Sequence, residues 1–177
     1  MELDRVLVVD VEATCWAGRP PDGETSEIIE IGLCELDVES GRRMGKHSIL
    51  VRPERSSVSE FCTSLTTLTP EQVAGGVTYA EACRLLRKDF RSRDRVWASY
   101  GDYDRKQFER QGAYPFGPRH LNVKTLFALT RNLPREVGLA EALRIAGLPL
   151  EGTHHRGDDD AWNIAALLAG ILLSARR

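Results

Sequence analysis

The chain of 177 residues is 42% apolar and 28% charged, a composition that excludes both a disordered segment and a membrane protein. No stretch approaches the roughly 18 uninterrupted apolar residues that a membrane-spanning helix needs. The net charge of −2 excludes a domain that attracts polyanions over its whole surface, so any polyanion must be bound locally. The length fits a single domain, which we assign to residues 1–177.

The N-terminus and the cysteines indicate the compartment. Residues 1–5 are acidic and lead directly into a predicted strand, so we expect no signal peptide and a cytoplasmic protein. The four cysteines (Cys15, Cys34, Cys62 and Cys83) are scattered and form no C-x-x-C pair. We therefore predict four reduced thiols and, since we also identify no histidine cluster of the zinc-binding type, no zinc site.

Four strands are predicted from apolar, β-branched runs, at residues 5–11, 27–38, 44–51 and 96–100. Residues 16–26 hold Gly, Pro-Pro and Asp-Gly and are predicted to form a loop, and residues 39–42 a hairpin turn. One helix is predicted to begin at Pro70, with Thr69 as its cap. Further helices are predicted at residues 78–91, 102–110, 122–130, 137–146 and 158–173. Three strands followed by a strand among helices predict an α/β fold with a mixed sheet.

The first chemical signal is Asp10-Val11-Glu12, where the first strand ends. Alternation along a strand sends Asp10 and Glu12 to the same face, so both carboxylates can meet one metal ion. Two surface acids at a strand end are the alternative. The interruption of an apolar strand by Asp10 favours a compensated, functional carboxylate.

Asp104 provides the second signal, because it opens a helix directly after the fourth predicted strand. Active sites of open α/β sheets lie at this edge. A helix-capping aspartate is the alternative, and Asp102 competes for that role. We interpret Asp102 as the cap and Asp104 as the residue that faces the site.

The third signal is the segment from His155 to Asp160. Asp160 lies in the first turn of an amphipathic helix, and His155 lies in the preceding loop. Acids near a helix N-terminus are also favoured by the helix dipole alone. Composition does not distinguish Asp160 from Asp158 and Asp159, nor His155 from His154.

Three segments resemble the motifs of the DEDDh 3′→5′ exonucleases of the ribonuclease H-like superfamily: VVDVEATCW (8–16), SYGDYDRKQFE (99–109) and HRGDDDAWNIA (155–165). Segments 51–73 and 120–129 resemble the subgroup that contains histone-mRNA and small-RNA 3′-end exoribonucleases and bacterial KapD-like proteins. The resemblance implies an α/β ribonuclease H-like fold with a mixed sheet of about five strands, the first three antiparallel. We expect no appended nucleic-acid-binding domain.

The resemblance also implies the site residues. It assigns Asp10, Glu12, Asp104 and Asp160 as ligands of two Mg²⁺ (or Mn²⁺) ions and His155 as the general base. The backbone at Ala13 and Thr14 is expected near the terminal sugar. Phe61 and Leu65 are expected against the last bases, with core packing as the alternative for each.

The function implied is metal-dependent hydrolysis from the 3′ end of single-stranded nucleic acid, RNA being favoured over DNA, with release of nucleoside 5′-monophosphates. One alternative is a single-stranded DNA exonuclease of proofreading type. Another is a non-catalytic scaffold that binds RNA or protein, which the five intact catalytic positions disfavour. The sequence makes no prediction about oligomeric state.

Overall fold

The computed structural model describes residues 2–176, which fold around a five-stranded mixed sheet of order β3-β2-β1-β4-β5. The strands are β1 (Glu2–Ala13), β2 (Ile28–Asp37), β3 (Arg43–Leu50), β4 (Arg95–Ser99) and β5 (His120–Asn122). β2 is antiparallel to β1 and β3, whereas β4 is parallel to β1 and β5. The predicted mixed sheet with three antiparallel strands first is confirmed.

Seven helices are described: α1 (Glu60–Thr66), α2 (Pro70–Ala74), α3 (Tyr79–Asp89), α4 (Tyr103–Gln111), α5 (Val123–Thr130), α6 (Leu139–Ala146) and α7 (Gly157–Ser174). The start of α2 is as predicted, because Thr69 and Gln72 form a capping box ahead of Pro70. Within residues 2–176, no helix combines the length and apolarity needed to cross a membrane.

The alternation of side chains along β1 divides the core into two layers. Val6 and Val8 pack with apolar residues of α5, α6 and α7 on one face of the sheet. Leu7 and Val9 pack with residues of α3 and α4 on the other face. Because side chains alternate along a strand, Asp10 continues the row of Val6 and Val8 toward the helices α5, α6 and α7.

Two glycines allow α7 to begin directly against the sheet. A Cβ atom built on Gly32 of β2 would lie 1.8 Å from the carbonyl carbon of Gly157, the first residue of α7. No side chain larger than hydrogen fits at Gly32 without displacing that backbone. The close approach determines how far the first turn of α7, with Asp160, extends over the end of β1.

Two features differ from the sequence prediction. β5 was not located, because its three residues are too short to show periodicity. Asp102 occupies the N-cap position of α4 as predicted, but its side chain makes no capping hydrogen bond. Its carboxylate instead lies 3.4 Å from the guanidinium group of Arg105.

Candidate active site

A cavity of about 390 Å³ opens where the parallel strands β1 and β4 end. Its walls come from β1, α1, α4, α5, α6, the first turn of α7 and the loop before α7. The lining residues are Asp10, Val11, Glu12, Ala13, Cys15, Leu65, Tyr100, Tyr103, Asp104, Lys124, Gly138, Leu139, His154, His155 and Asp160. All five residues predicted to be catalytic therefore face one cavity.

Three carboxylates converge closely in this cavity. One oxygen from each of Asp10, Glu12 and Asp160 lies within 4.8 Å of the others. Asp10 and Glu12 share a face of β1, as the strand alternation predicts, and Asp160 reaches them from the first turn of α7. Of the three neighbouring acids 158–160, Asp160 is the one on the cavity wall.

Asp104 is attached to the same strand by its side chain. Its Oδ1 accepts a hydrogen bond of 2.9 Å from the backbone N–H of Val11, which lies between Asp10 and Glu12. Asp104 is 3% exposed and stands in the first turn of α4. Its position in the site, rather than at the helix cap, agrees with the sequence interpretation.

The clustered acids raise one another's pKa values. Burial, followed by repulsion from Asp104 and Glu12, raises the pKa of Asp10 well above its ordinary value. Burial and the charges of Asp160 and Glu30 raise the pKa of Glu12 to about 9. Burial raises the pKa of Asp104 to about 6, although the Val11 hydrogen bond opposes the shift. Proximity of buried like charges on this scale is costly unless cations compensate it.

The donor set fits hard divalent cations. Carboxylate oxygens are the preferred ligands of Mg²⁺ and Mn²⁺, and the pKa shifts indicate a local excess of negative charge that such ions would neutralise. Asp10, Glu12 and Asp160 are close enough to share one ion, and Asp104 lies beside them.

The loop before α7 brings two histidines to the cavity. The backbone N–H of His155 donates to Oδ2 of Asp160 at 2.9 Å, and its φ of +64° is left-handed. The Nδ1 atom of His154 lies 3.0 Å from Oδ1 of Asp160, and the two imidazole rings stack. Burial, then the neighbouring His154, lowers the pKa of His155 below its ordinary value. Both histidines face the cavity, so geometry alone does not distinguish the predicted base.

Of the four residues predicted to hold substrate, two line the cavity and two do not. Ala13 and Leu65 line the cavity, and Leu65 is 37% exposed. Thr14 is fully buried, and its hydroxyl accepts a hydrogen bond from the backbone N–H of Glu27. Phe61 is exposed on α1 but is absent from the cavity wall. The roles of all four remain predictions.

The sequence analysis missed two residues of the cavity wall and one buried acid beside the cluster. Tyr103 is about half exposed on the cavity wall and is the first residue of α4, a position that offers no distinctive signal. Lys124 brings a positive charge from α5 to the same wall. Glu30 is fully buried on β2 directly opposite Glu12. An acid inside an apolar strand, the signal that singled out Asp10, also marks Glu30.

Comparisons with known proteins identify the family and match the fold. A family model described as Exonuclease (RNase_T) matches residues 7–168. The chain is 28% identical to human 3′-5′ exoribonuclease 1 over 96% of its own length and 52% of that protein. It is 26% identical to the 3′-5′ exonuclease Snipper of Drosophila melanogaster over 94% of its own length and 69% of Snipper. The chain thus spans about half the length of the human relative.

Solved structures agree with the fold. The nuclease domain of 3′hExo, a DEDDh family member bound to rAMP, superimposes with a TM-score of 0.87 at 26% identity, over 97% of this chain and 92% of that one. A 3′-exonuclease, from a structure of 3′-end-specific recognition of the histone mRNA stem-loop, superimposes with a TM-score of 0.83 at 26% identity. The match covers 97% of this chain and 64% of that one. The expected ribonuclease H-like architecture is confirmed.

Proposed function

This chain belongs to the exonuclease (RNase_T) family, and on that premise we propose that it is a 3′→5′ exoribonuclease that depends on divalent cations. Its products are nucleoside 5′-monophosphates from single-stranded 3′ ends. The observation that carries the proposal is the convergence of Asp10, Glu12, Asp104 and Asp160 on one cavity, with His155 beside them. This arrangement makes a non-catalytic scaffold the weaker interpretation.

Asp10, Glu12 and Asp160 would hold the cations, two Mg²⁺ or Mn²⁺ ions, with Asp104 as the fourth carboxylate of the cluster. A bound pair of such ions stabilises charge on the attacking and leaving oxygens of a phosphodiester. The Val11 N–H holds the Asp104 carboxylate beside Asp10 and Glu12. Rigid placement of charged groups is the main protein contribution to such reactions.

His155 acts in this proposal as the base that accepts the proton of the attacking water. Its lowered pKa leaves the imidazole neutral near pH 7, which is the form that accepts a proton. The hydrogen bond from its backbone to Asp160 ties the base to a cation ligand. The loop that carries the base is therefore held beside the ligand.

The cavity wall is suited to a terminal nucleotide. Leu65 and Tyr103 present exposed apolar surface, and Lys124 presents a positive charge. Apolar and aromatic contacts to bases tolerate any sequence, and a lysine suits a phosphate. Ala13 lines the cavity, and its backbone and that of the adjoining Thr14 are proposed to approach the sugar. The names of the human relative and the rAMP-bound neighbour support RNA as the substrate class.

The experiment compares RNA and DNA oligonucleotides of one sequence, each labelled at the 5′ end, with Mg²⁺ or with a chelator. Stepwise shortening from the 3′ end, faster on RNA and absent with the chelator, supports the proposal. Release of mononucleotides should be confirmed by chromatography. Equal or faster hydrolysis of DNA would favour the proofreading-type alternative, and a lack of hydrolysis would refute an enzymatic role.

A further inference from the structure

His154, His155 and Asp160 form a second group of metal-binding atoms that overlaps the acidic cluster only at Asp160. Atoms able to bind a metal from these three side chains lie within 4.8 Å of one another. The two imidazole rings stack with their centroids 4.0 Å apart and their planes at 27°. The cavity edge therefore offers two nitrogen donors and one oxygen donor, in contrast to the oxygen-only set of Asp10, Glu12 and Asp160.

We propose that His154, His155 and Asp160 bind a borderline divalent cation of the Zn²⁺ type. Imidazole nitrogen suits Zn²⁺, whereas carboxylate sets suit Mg²⁺ and Mn²⁺, so the two sets select different ions. Three protein ligands with one open position are a common coordination of Zn²⁺. The sequence analysis predicted no zinc site because it found neither paired cysteines nor clustered histidines, but His154 and His155 are adjacent and both meet Asp160.

The loop holds the three donors near one another through contacts of its own. Both oxygens of the Asp160 carboxylate lie 3.0–3.1 Å from Nδ1 of His154. The same carboxylate accepts the backbone N–H of His155 at 2.9 Å, with His155 in a left-handed conformation. Zn²⁺ bonds of 2.0–2.1 Å place neighbouring ligand atoms roughly 3.3 Å apart, a separation that rotation of the imidazoles can reach.

A cation has access to this group from solvent. The side chain of His154 is 40% exposed, while that of Asp160 is 5% exposed. His154 is therefore the outer ligand and Asp160 the inner one. Because the His154 side chain is exposed, an ion can reach the group without opening the core.

Occupation of this site would inhibit hydrolysis, an inference that rests on the proposed function. Zn²⁺ would occupy the imidazole of His155, which could then no longer accept a proton. It would also engage Asp160, which the acidic cluster needs for its own cation. We therefore expect Zn²⁺ to inhibit the reaction in the presence of saturating Mg²⁺.

The test of the site measures binding without activity. Calorimetric titration with Zn²⁺ in saturating Mg²⁺ should show one site in the unaltered protein. His154→Asn, which retains a donor toward Asp160, should weaken that binding at least about tenfold, since even outer-shell changes cost roughly 10–100-fold. The matched control His47→Asn removes a histidine of β3 outside the cavity and should leave the affinity unchanged. Thermal melting checks that each variant folds.

Cobalt distinguishes the ligand types. Co²⁺ bound through nitrogen and oxygen gives visible d–d bands without the intense near-ultraviolet charge-transfer band of a thiolate. Cys15 lines the same cavity, so Cys15→Ser serves as a second control and should leave the spectrum unchanged. A thiolate band lost in Cys15→Ser, or an unchanged affinity in His154→Asn, would overturn the site.

Inhibition is measured within each protein as the ratio of rates with and without Zn²⁺. In the unaltered protein, Zn²⁺ should lower the rate at least about tenfold, and in His154→Asn it should lower the rate much less. Binding without inhibition would overturn the regulatory part of the proposal and leave the site standing. If no protein hydrolyses RNA even without Zn²⁺, the proposed function fails, while calorimetry and the Co²⁺ spectrum still decide the site.

Discussion

The guanidinium group of Arg156 forms a two-point ion pair with the fully buried carboxylate of Glu30. Nε and Nη2 lie 3.2 and 3.0 Å from the two carboxylate oxygens. The backbone N–H of Gly157 and the hydroxyl of Ser48 donate to the same carboxylate at 2.9 and 2.6 Å. Glu30 thereby anchors the start of α7, and with it the loop of His155, to the sheet.

This anchor predicts that Arg156→Lys lowers both stability and activity. A lysine ammonium cannot form the planar two-point contact. The side chain of Arg156 is 27% exposed, so we expect the free energy of unfolding to fall by about 1–3 kcal/mol, below the range of fully buried pairs. The value of kcat should fall more than KM rises, since the pair positions catalytic groups. Urea unfolding and steady-state kinetics measure the two effects.

The matched control for this prediction is Arg144→Lys. Arg144 also forms a two-point pair, with Glu141 at 2.8 and 2.7 Å, but both side chains are exposed on α6. Such a pair contributes about 0–1 kcal/mol. Equal destabilisation by the two variants, or full activity of Arg156→Lys, would contradict the positioning role.

Asp160→Asn should nearly abolish hydrolysis and leave the fold intact. A neutral amide cannot replace a carboxylate in a cluster that is proposed to hold two divalent cations. Asp10→Asn should behave in the same way. The control is Asp158→Asn, because Asp158 is two residues away and outside the cavity. Mononucleotide release and circular dichroism are the measurements, and substantial hydrolysis by folded Asp160→Asn would refute the ligand assignment.

Without metal, the protein should lose stability as pH rises. Glu12 has a pKa of about 9 in the folded state against an ordinary value of 4.5, so above pH 4.5 the folded state binds more protons than the unfolded state. Its stabilising contribution is complete below pH 4.5 and is lost as pH rises toward 9. The melting temperature in a chelator should therefore fall between about pH 5 and pH 9.

Mg²⁺ or Mn²⁺ should reverse most of that loss, because binding to the folded state neutralises the acids. Glu12→Gln should flatten the pH dependence in the chelator. Thermal melts at several pH values test both statements. A melting temperature that rises over this interval without metal would show that the acids are not held near one another.

His155→Ala should reduce kcat by about 10²–10⁴ while cation binding survives. Because the pKa of His155 lies below its ordinary value of 6.5, the rate should rise with pH and level off on the acidic side of neutrality. The pH profile of single-turnover hydrolysis measures this. A larger effect of His154→Ala than of His155→Ala would assign the base to the neighbouring residue.

Leu65→Ala should raise KM for RNA without a comparable effect on folding. Covering the exposed part of a leucine side chain with substrate contributes on the order of 1 kcal/mol, so its removal should increase KM roughly threefold to tenfold. Phe61→Ala tests whether that ring also reaches the bases. The control is Leu129→Ala, because Leu129 is 73% exposed on α5 and lies outside this cavity. Equal KM values for Leu65→Ala and Leu129→Ala would exclude a substrate contact.

Local patterns in the sequence predicted most of the secondary structure. The apolar runs located β1 to β4 within a few residues, and Thr69 with Pro70 located the start of α2. These signals work because they depend on neighbours in the chain. β5 was missed because it has three residues and is held by pairing with β4, which no local pattern records.

The candidate site was only partly accessible from sequence. The motif resemblance named the five residues, and alternation along β1 placed Asp10 and Glu12 on one face. The anchoring of α7 by Glu30 and Arg156 was not foreseen, since the two residues are 126 positions apart. The burial of the Thr14 hydroxyl was also not predicted. This hydroxyl accepts a hydrogen bond from the backbone N–H of Glu27, on the other side of the loop between β1 and β2.

The sequence by itself predicted which residues would carry the proposed chemistry and determined on which local elements they stand. Only the tertiary structure decided that Asp104 bonds to the strand between Asp10 and Glu12, and that His154 and His155 both meet Asp160. The physical reason is that helix and strand periodicity is a property of adjacent residues. The separation of distant carboxylates and imidazoles depends on how helices pack on the sheet, as at Gly32 and Gly157.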